Sequence, residues 1–234
     1  ERKRGSDRMN GILILVGGGE FEQEMKYVDR VLLDKVIGPP RIAILPTAAG
    51  GDPDAALKHA EAGAAYFRGM DAEVEVVPVI DRDSAMDDGL SARIEDANVV
   101  YLTDGDARYL YEMLRFSSAW TAIGNVIELN GVIAASGAAA SVFGERAPGS
   151  ALRWGSAFNI LPGSVIVPDY ETASTYGMRA RRFRRRNLAY LGIDRHTALF
   201  NQDFRFTVVG EGGVTVWSKR RHEKREDGDP LVWP

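Results

Sequence analysis

The chain has 234 residues, of which 45% are hydrophobic and 26% charged, and its net charge is −4. This composition is typical of a globular protein that buries a substantial core, and the acidic balance argues against general affinity for nucleic acid. The absence of cysteine excludes disulfides, thiolate nucleophiles and cysteine-bound metals, and with three histidines in the sequence we expect no metal centre and no cofactor.

The hydrophobic pattern predicts neither a membrane span nor a secretory signal. No apolar run reaches the roughly 18–20 residues that a helix needs to cross a bilayer. The first residues, ERKRGSDRMNG, are polar and lack the apolar segment of a signal peptide. We therefore expect a cytoplasmic protein without a membrane partner, with one domain over residues 11–217 between two charged arms, 1–10 and 218–234.

Short β-rich runs alternate with longer helical patterns along most of the chain. The predicted strands are 11–17, 41–49, 72–80, 98–104, 131–137 and 164–170. The predicted helices are 21–38, 52–70, 91–97, 107–116, 121–130 and 171–190. This alternation predicts an α/β fold with a mainly parallel sheet flanked by helices on both faces. Gly-containing turns within residues 197–217 predict an antiparallel hairpin at the C-terminal end.

Glycine-rich and acidic loops follow two of the predicted strands. Ligands of open parallel sheets bind at the carboxyl ends of the strands. Gly18 and Gly19 precede a predicted helix, so their amides could face an anion, or could simply form a tight turn. Asp104 and Asp106 flank Gly105, and the two carboxylates could bind a cation, transfer a proton or cap the next helix.

The stretch GVIAASGAAASVFG, residues 131–144, predicts a strand, a sharp bend and a short helix. A nucleophile on such a bend adopts positive φ, and the positions two before and two after it are small. Both Ser136 and Gly137 meet that requirement, because alanines flank each of them at these positions. Glycine accepts positive φ without steric cost, so local sterics mildly favour Gly137 at the tip of the bend.

Six segments together resemble the cyanophycinase and dipeptidase E family of serine peptidases. In chain order they are GGGEF, ILPTAAG, VYLTDGDARYL, GVIAASGAAASVFG, LGIDRHTALF and FTVVGEGGVTVW. The resemblance covers most of residues 11–217. It implies a class I glutamine amidotransferase-like fold and a serine nucleophile on the bend.

The positions that would carry catalysis depart from the pattern of that family. The family's serine lies seven residues before the glycine that ends the short helix, and this chain has Gly137 there. The resemblance implies a histidine just after the strand 164–170, where the chain offers Asp169 and Glu171, and a glutamate where it has Arg195. Asp104 stands where a glycine is usual.

A serine hydroxyl is a weak nucleophile without a base, so these losses predict a non-hydrolytic homologue. We expect a binding or regulatory protein for an acidic or peptide-like ligand. The expected ligand-binding residues are Gly18, Gly19, Asp104, Gly105, Asp106, Gly137, Glu171 and Arg195. The alternative is an active serine peptidase on acidic or isopeptide substrates, with Ser136 as nucleophile and His196 or Glu171 as base. A third hypothesis is a chemistry that uses Asp104, Asp106 and Glu171 without a serine.

An arginine-rich segment, Arg179–Arg186, lies in the last predicted helix. This helix could be solvated and paired with acidic residues of the chain itself or of a second subunit in a homodimer. It could instead bind an anion, because the planar guanidinium group donates two hydrogen bonds at once to a carboxylate or phosphate. Among anionic partners, small acidic molecules and peptides rank ahead of nucleic acid.

Overall fold

The computed structural model describes residues 10–148, 154–172, 187–202, 205–219 and 222–232. The strands in these ranges are β1 (Ile12–Val16), β2 (Arg41–Leu45), β3 (Glu73–Val76), β4 (Val99–Leu102), β5 (Val132–Ser136), β6 (Ala147–Pro148), β7 (Trp154–Gly155), β8 (Ser164–Val167), β9 (Ala189–Ile193), β10 (Thr197–Gln202), β11 (Arg205–Gly210), β12 (Val214–Trp217), β13 (His222–Arg225) and β14 (Pro230–Val232). The α-helices are α1 (Lys26–Asp34), α2 (Pro53–Arg68), α3 (Arg82–Ala85), α4 (Asp88–Glu95), α5 (Ala107–Leu114), α6 (Ser118–Glu128) and α7 (Ala138–Ser141).

The described strands form one large sheet and two smaller ones. The large sheet has the order β14-β11-β10-β1-β5-β4-β2-β3. The five strands from β1 to β3 in this order are parallel, whereas β10, β11 and β14 are antiparallel. A second sheet has the order β13-β12-β9-β8, and β6 pairs with β7. The predicted α/β fold, with a mainly parallel sheet and a C-terminal antiparallel hairpin, is therefore confirmed.

Both faces of the large sheet are buried. Along β1, Ile14 and Val16 belong to the apolar cluster that includes α1 and α2, whereas Leu13 and Leu15 belong to the cluster that includes α4, α5 and α6. A strand that is covered on both faces needs apolar side chains at successive positions instead of alternating ones. This requirement explains the continuous apolar run at residues 12–16 of the sequence.

The C-terminal region differs from the predicted charged arm over residues 218–234. Strand β13 pairs with β12, and β14 extends the large sheet beside β11, where Leu231 is buried. The side chains of β13 are charged or imidazole groups that stay partly or fully exposed, so they give no apolar signal. Its backbone pairing with β12 forms the strand despite this composition.

The predicted helix 171–190 also differs from the structure at both described ends. Glu171 and Thr172 lie in a turn, and Ala189 begins strand β9. The arginine-rich segment Arg179–Arg186 lies outside the described residues. Within the described ranges, none of the helices combines the length and the apolar character needed to cross a membrane.

A buried carboxyl group lies between α1 and α2. Asp29 is fully buried, and the Tyr66 hydroxyl donates a hydrogen bond of 2.8 Å to its Oδ2 atom. Its Oδ1 atom has no hydrogen-bond partner among the described residues. Burial raises the pKa of Asp29 to about 7; the Tyr66 hydrogen bond opposes this shift and the charge of Glu20 adds to it. The native Asp29 therefore keeps its proton up to about pH 7.

We expect the contribution of Asp29 to the free energy of unfolding to fall as the pH rises from about 4 to about 7, because the unfolded chain releases the Asp29 proton over that window while the native state retains it. The variant Asp29→Asn stays neutral and keeps an acceptor for Tyr66. Its free energy of unfolding relative to wild type should rise by about 2–3 kcal/mol between pH 5 and pH 8, measured by urea denaturation. Asp34→Asn, at an exposed site of the same helix, serves as the control. If the free energies of unfolding of Asp29→Asn and wild type differ by the same amount at both pH values, Asp29 is not a neutral carboxyl in the native state.

Candidate functional site

The register of the large sheet brings three loops together at its carboxyl edge. Val16 at the end of β1 pairs with Ser136 at the end of β5, and Leu102 at the end of β4 pairs with Ala135. The loops that follow these strands begin at Gly17, Thr103 and Gly137. The glycine-rich, acidic and bend segments singled out in the sequence are thus neighbours in space.

Gly137 occupies the tip of the bend between β5 and α7. Its backbone has φ 54° and ψ −127°, a conformation that side chains other than glycine adopt only under strain. Such a strand-to-helix turn is the geometry in which a hydrolase exposes its nucleophile. In this chain Gly137 occupies the tip, which therefore carries no side chain, as the steric argument from the sequence predicted.

The carboxylate of Asp104 fills the space beside that tip. A Cβ atom added to Gly137 would lie 2.1 Å from Cγ of Asp104 and 2.3 Å from each of its carboxylate oxygens. The Oδ1 atom accepts hydrogen bonds from the backbone N–H groups of Ala138, at 2.6 Å, and Gly105, at 2.7 Å. A side chain at position 137 and the present position of the Asp104 carboxylate therefore exclude each other.

Ser136 points away from the bend tip, into the protein interior. Strand alternation places it on the same face as Ala134, and it is fully buried. Its hydroxyl donates a hydrogen bond of 2.7 Å to Oε2 of Glu20, which follows the glycine loop. The hydroxyl is therefore engaged by a buried carboxylate and not by His196, the base suggested by the sequence.

Glu20 connects the three loops. Its Oε1 atom accepts the backbone N–H of Asp104 at 3.0 Å and lies 3.1 Å from Nε2 of His59 on α2. Burial favours a raised pKa for Glu20, but the hydrogen bonds from His59, Ser136 and the Asp104 amide outweigh burial and lower the pKa below its usual value. The ionised Glu20 in turn raises the pKa of His59. Glu20 is thus a buried anion held by donors from β5, α2 and the loop after β4.

The pKa of Asp104 shifts in the opposite direction. Burial raises it, the nearby charges of Glu20 and Asp169 add to the rise, and the amides of Ala138 and Gly105 oppose it. Asp104 is half-buried, so it is less shielded from water than Glu20. The two backbone amides are therefore the main groups that stabilise its charge.

The first glycine loop makes room for side chains of two other segments. A Cβ atom on Gly18 would lie 2.8 Å from Oδ1 of Asp169, and one on Gly19 would lie 2.5 Å from the His196 ring. The His196 imidazole donates from Nε2 to Oε2 of Glu22 at 2.6 Å. These contacts support the structural alternative for the glycines, since both leave room for neighbouring side chains.

Arg195 connects the acidic residues around this loop. Its guanidinium group binds a Glu22 carboxylate oxygen and lies 3.4 Å from Oδ1 of Asp169, while its backbone N–H donates to both oxygens of Glu171 at 2.9 Å. His196 and Arg195 together lower the pKa of Glu22. The structure thus brings Arg195, His196 and Glu171 together in one hydrogen-bond network, in which the Arg195 guanidinium group pairs with Glu22 and Asp169.

The remaining predicted residue, Asp106, caps helix α5. Its carboxylate accepts the Tyr109 backbone N–H at 2.8 Å. Helix capping was one of the open alternatives for this loop, and it accounts for Asp106. Each carboxylate of the third hypothesis is thus engaged by backbone N–H groups: Asp106 caps α5, Asp104 accepts from Gly105 and Ala138, and Glu171 accepts from Arg195. These contacts give no support to a chemistry that uses the three carboxylates without a serine.

Glu20 is the functional residue that sequence reasoning missed. Its signal was an acidic residue directly after three glycines at a strand end. The neighbouring Phe21 is anchored in the apolar core, where its ring centroid lies 5.3 Å from that of Tyr101. Gly63 leaves room for this ring, since a Cβ there would lie 2.4 Å from it. The aromatic anchor of Phe21 thereby holds Glu20 below the bend.

One group of side chains could share a metal ion. Glu22, Glu24 and His196 place ligand atoms within 4.8 Å of one another. Arg195 and His196 already donate to Glu22, so a cation would have to displace both donors. The present contacts therefore favour the hydrogen-bond network around Glu22 over a metal centre.

Comparisons with known proteins agree with this architecture. The model of peptidase family S51 matches residues 13–209. The chain belongs to peptidase family S51. This membership confirms the resemblance to the cyanophycinase and dipeptidase E family, which was predicted from six sequence segments. No curated protein matches the chain.

Two solved structures share the fold of this S51 chain. A peptidase from an acI-B1 Actinobacterium superimposes with a TM-score of 0.84 at 22% identity, over 95% of this chain and 96% of that one. A putative peptidase E protein from Listeria monocytogenes EGD-e gives a TM-score of 0.62 at 14% identity, over 86% and 99%. At these identities the likeness establishes the fold alone.

A cleft of about 780 Å³ opens beside the bend of this S51 protein. Its lining includes Gly105 and Ala138 together with Tyr111, Arg115 and Ser141. Arg115 is exposed and has no acidic partner within the described part of the chain. The cleft thus begins at the amides that bind Asp104 and extends to a cationic side chain.

Removing the Ser136 hydroxyl should destabilise the fold because ionised Glu20 loses a buried donor. We expect Ser136→Ala to lower the free energy of unfolding by about 1.5–3 kcal/mol, measured by urea denaturation. Ser141→Ala is the matched control, because the buried Ser141 hydroxyl donates to the neutral carbonyl of Ala138, at 2.7 Å. Its loss should be closer to about 1 kcal/mol. A free energy of unfolding that is unchanged in Ser136→Ala would contradict the structural role of this hydroxyl.

The mutual exclusion of a side chain at 137 and the Asp104 carboxylate can be measured by a double-mutant cycle. We expect Gly137→Ala to destabilise by about 2–4 kcal/mol in wild type and by about 1–2 kcal/mol less in an Asp104→Ala background, since only backbone strain remains there. Gly163→Ala provides the control: its φ is also positive, at 77°, but no atom of the described residues lies within 4 Å of the added Cβ. Its cost should be equal in both backgrounds, and additivity of Gly137→Ala with Asp104→Ala would contradict the steric conflict.

Proposed function

We propose that this member of peptidase family S51 binds an acidic, peptide-like ligand without hydrolysing it. One observation carries the proposal: the bend tip is Gly137, and the Asp104 carboxylate occupies the space that a nucleophilic side chain would need. Covalent catalysis on this turn requires a hydroxyl or thiol that projects from the tip. The contacts around Gly137 leave no room for one.

The neighbouring hydroxyl does not offer a substitute. Ser136 is fully buried and donates to Glu20, on the interior side of the strand end. An ionised carboxylate could accept the serine proton in principle, but Glu20 has a lowered pKa and is therefore a weak base. The geometry thus counts against the alternative of an active serine peptidase that uses Ser136.

The residues at the positions of the implied general base and its partner also support binding without hydrolysis. In the segment where the family resemblance implies a histidine, the chain has Asp169, and in place of the implied glutamate it has Arg195. These two side chains contact each other at 3.4 Å. The guanidinium group has no acceptor and cannot serve as a base, and the Asp169 carboxylate faces this group instead of a nucleophile.

Ligand binding is supported by the cleft beside the bend. Its volume suits a small ligand such as a short peptide. Arg115 contributes a guanidinium group that suits a carboxylate, and Arg108 contributes a second one that is paired with Glu112. Hydroxyl groups and the Tyr111 ring provide further polar and aromatic contacts. Asp106 and Glu112 also line the cleft, so Arg115 is the cationic side chain that an acidic peptide-like molecule would meet there.

The proposal predicts binding without turnover. Dipeptides composed of Asp and Glu should raise the melting temperature in a saturable manner, while chromatography of the incubated mixture should show no cleavage. A fluorophosphonate probe should not label Ser136 in the wild-type protein. Labelling that disappears in Ser136→Ala, or release of amino acids, would establish the peptidase alternative instead.

A matched pair of arginine variants locates the binding site. We expect Arg115→Gln to weaken dipeptide binding about three- to tenfold, because an exposed ion pair contributes about 1 kcal/mol. Arg30→Gln removes the same charge from α1, which packs on the opposite face of the sheet, and should leave binding unchanged. Equal effects of the two variants would place the ligand outside this cleft.

A further inference from the structure

Two backbone N–H groups converge on one oxygen atom beside the bend. Gly105 follows β4 and Ala138 follows β5, yet both donate to Oδ1 of Asp104, at 2.7 and 2.6 Å. Two such donors, one of them on the residue after the bend tip, form the kind of pocket in which hydrolases hold a negatively charged oxygen. In this protein the oxygen belongs to the chain itself.

The pocket is built by groups other than the Asp104 side chain. Gly105 packs against Ala48, where an added Cβ would lie 2.4 Å from the backbone, and the Asp106 amide donates to the Ala48 carbonyl at 2.8 Å. The Asp104 amide is held by Glu20, and the Gly137 amide donates to the Val16 carbonyl at 3.1 Å. The two donors therefore keep their positions when the side chain of Asp104 is removed.

We propose that Asp104 is a tethered carboxylate ligand that closes this amide pocket, so that a carboxylate from solution can occupy the pocket only when the Asp104 side chain is absent or displaced. The pocket evidently binds a carboxylate, since it holds one at short distances. It opens towards the cleft, because Gly105 and Ala138 both line that cleft. The inference concerns the pocket alone and does not depend on which ligand fills the rest of the cleft.

The electrostatic surroundings are consistent with a side chain that can be displaced. The hydrogen bonds that the described residues donate to the Asp104 carboxylate come from these two amides, and the nearby positive group is His59, whose imidazole pairs with Glu20 and not with Asp104. Burial and the charges of Glu20 and Asp169 disfavour its ionised form. A carboxylate from solution would meet the same repulsion from Glu20 and Asp169. It can therefore enter the pocket only if the negative charge of the Asp104 side chain leaves it.

Acetate is a direct probe of the pocket, since it carries the Asp104 carboxylate and nothing more. We would titrate acetate into ¹⁵N-labelled wild type, Asp104→Ala and Asp104→Asn at constant ionic strength and follow the amide signals of Gly105 and Ala138. Asp104→Ala should bind acetate about tenfold more tightly than wild type, with saturable shifts at both amides. Asp104→Asn removes the charge but keeps an amide oxygen in the pocket, and it should show no such gain.

Two results would overturn the proposal. If Asp104→Ala binds acetate no better than wild type, the two amides do not form a usable pocket. If Asp104→Asn gains as much as Asp104→Ala, charge repulsion and not occupancy excludes acetate. Asp104→Gly supplies the same test should the alanine variant fail to fold. Failure of dipeptide binding in wild type would refute the proposed function but would leave this result unaffected.

Discussion

The buried carboxylate of Glu20 is the interaction on which the site depends. It accepts the Ser136 hydroxyl and the Asp104 amide and contacts His59, so it ties the ends of β4 and β5 and helix α2 to the loop after β1. A buried charge is costly unless hydrogen bonds compensate it, and three donors from three elements do so here. The same bonds fix the Ser136 hydroxyl inside the protein. Glu20 therefore holds the Ser136 hydroxyl in the interior, away from the bend tip.

Gly137 and Asp104 form a complementary pair around the bend. The conformation of Gly137 is the one that presents a nucleophile in hydrolases, so the scaffold of the turn is intact although its side chain is missing. The volume beside the tip is occupied by a carboxylate from the neighbouring loop, whose Oδ1 atom accepts hydrogen bonds from two backbone amides. The Asp104 carboxylate therefore stabilises this turn by joining the residue after the bend tip to the loop after β4.

Much of the fold follows from local patterns in the sequence. The run at residues 12–16 predicted a buried strand, and the helix predicted over 52–70 is α2, which Asp52 caps by accepting the Ala55 amide. The bend at Gly137 also followed from local sterics. In contrast, β13 could not be predicted, because its pairing depends on β12 and not on its own charged side chains. The same limit explains why its segment resembles a solvated arm.

The site could be predicted only as a set of loops. Sheet topology predicts that the segments near Gly18, Asp104 and Gly137 meet, since the carboxyl ends of parallel strands share one edge. It does not predict that the side chain of Asp104 reaches the space beside Gly137, because this depends on distances between two loops of different strands. Glu20 was missed for a related reason. An acidic residue after a glycine loop is expected to be exposed, and its burial depends on Phe21, which anchors the loop in the core.

The distribution of charge around the bend separates binding from catalysis on this scaffold. Hydrolysis by a serine requires a neutral nucleophile, a base of suitable pKa and empty donors for the developing oxyanion. Here the donors are occupied by an anion, the segments of the implied base and its partner hold an Asp–Arg contact, and the serine donates to an ionised acid. Restoring one group would leave the other two incompatible with the reaction. These three contacts support the proposal of binding without hydrolysis, and under that proposal we expect that no single substitution gives hydrolysis.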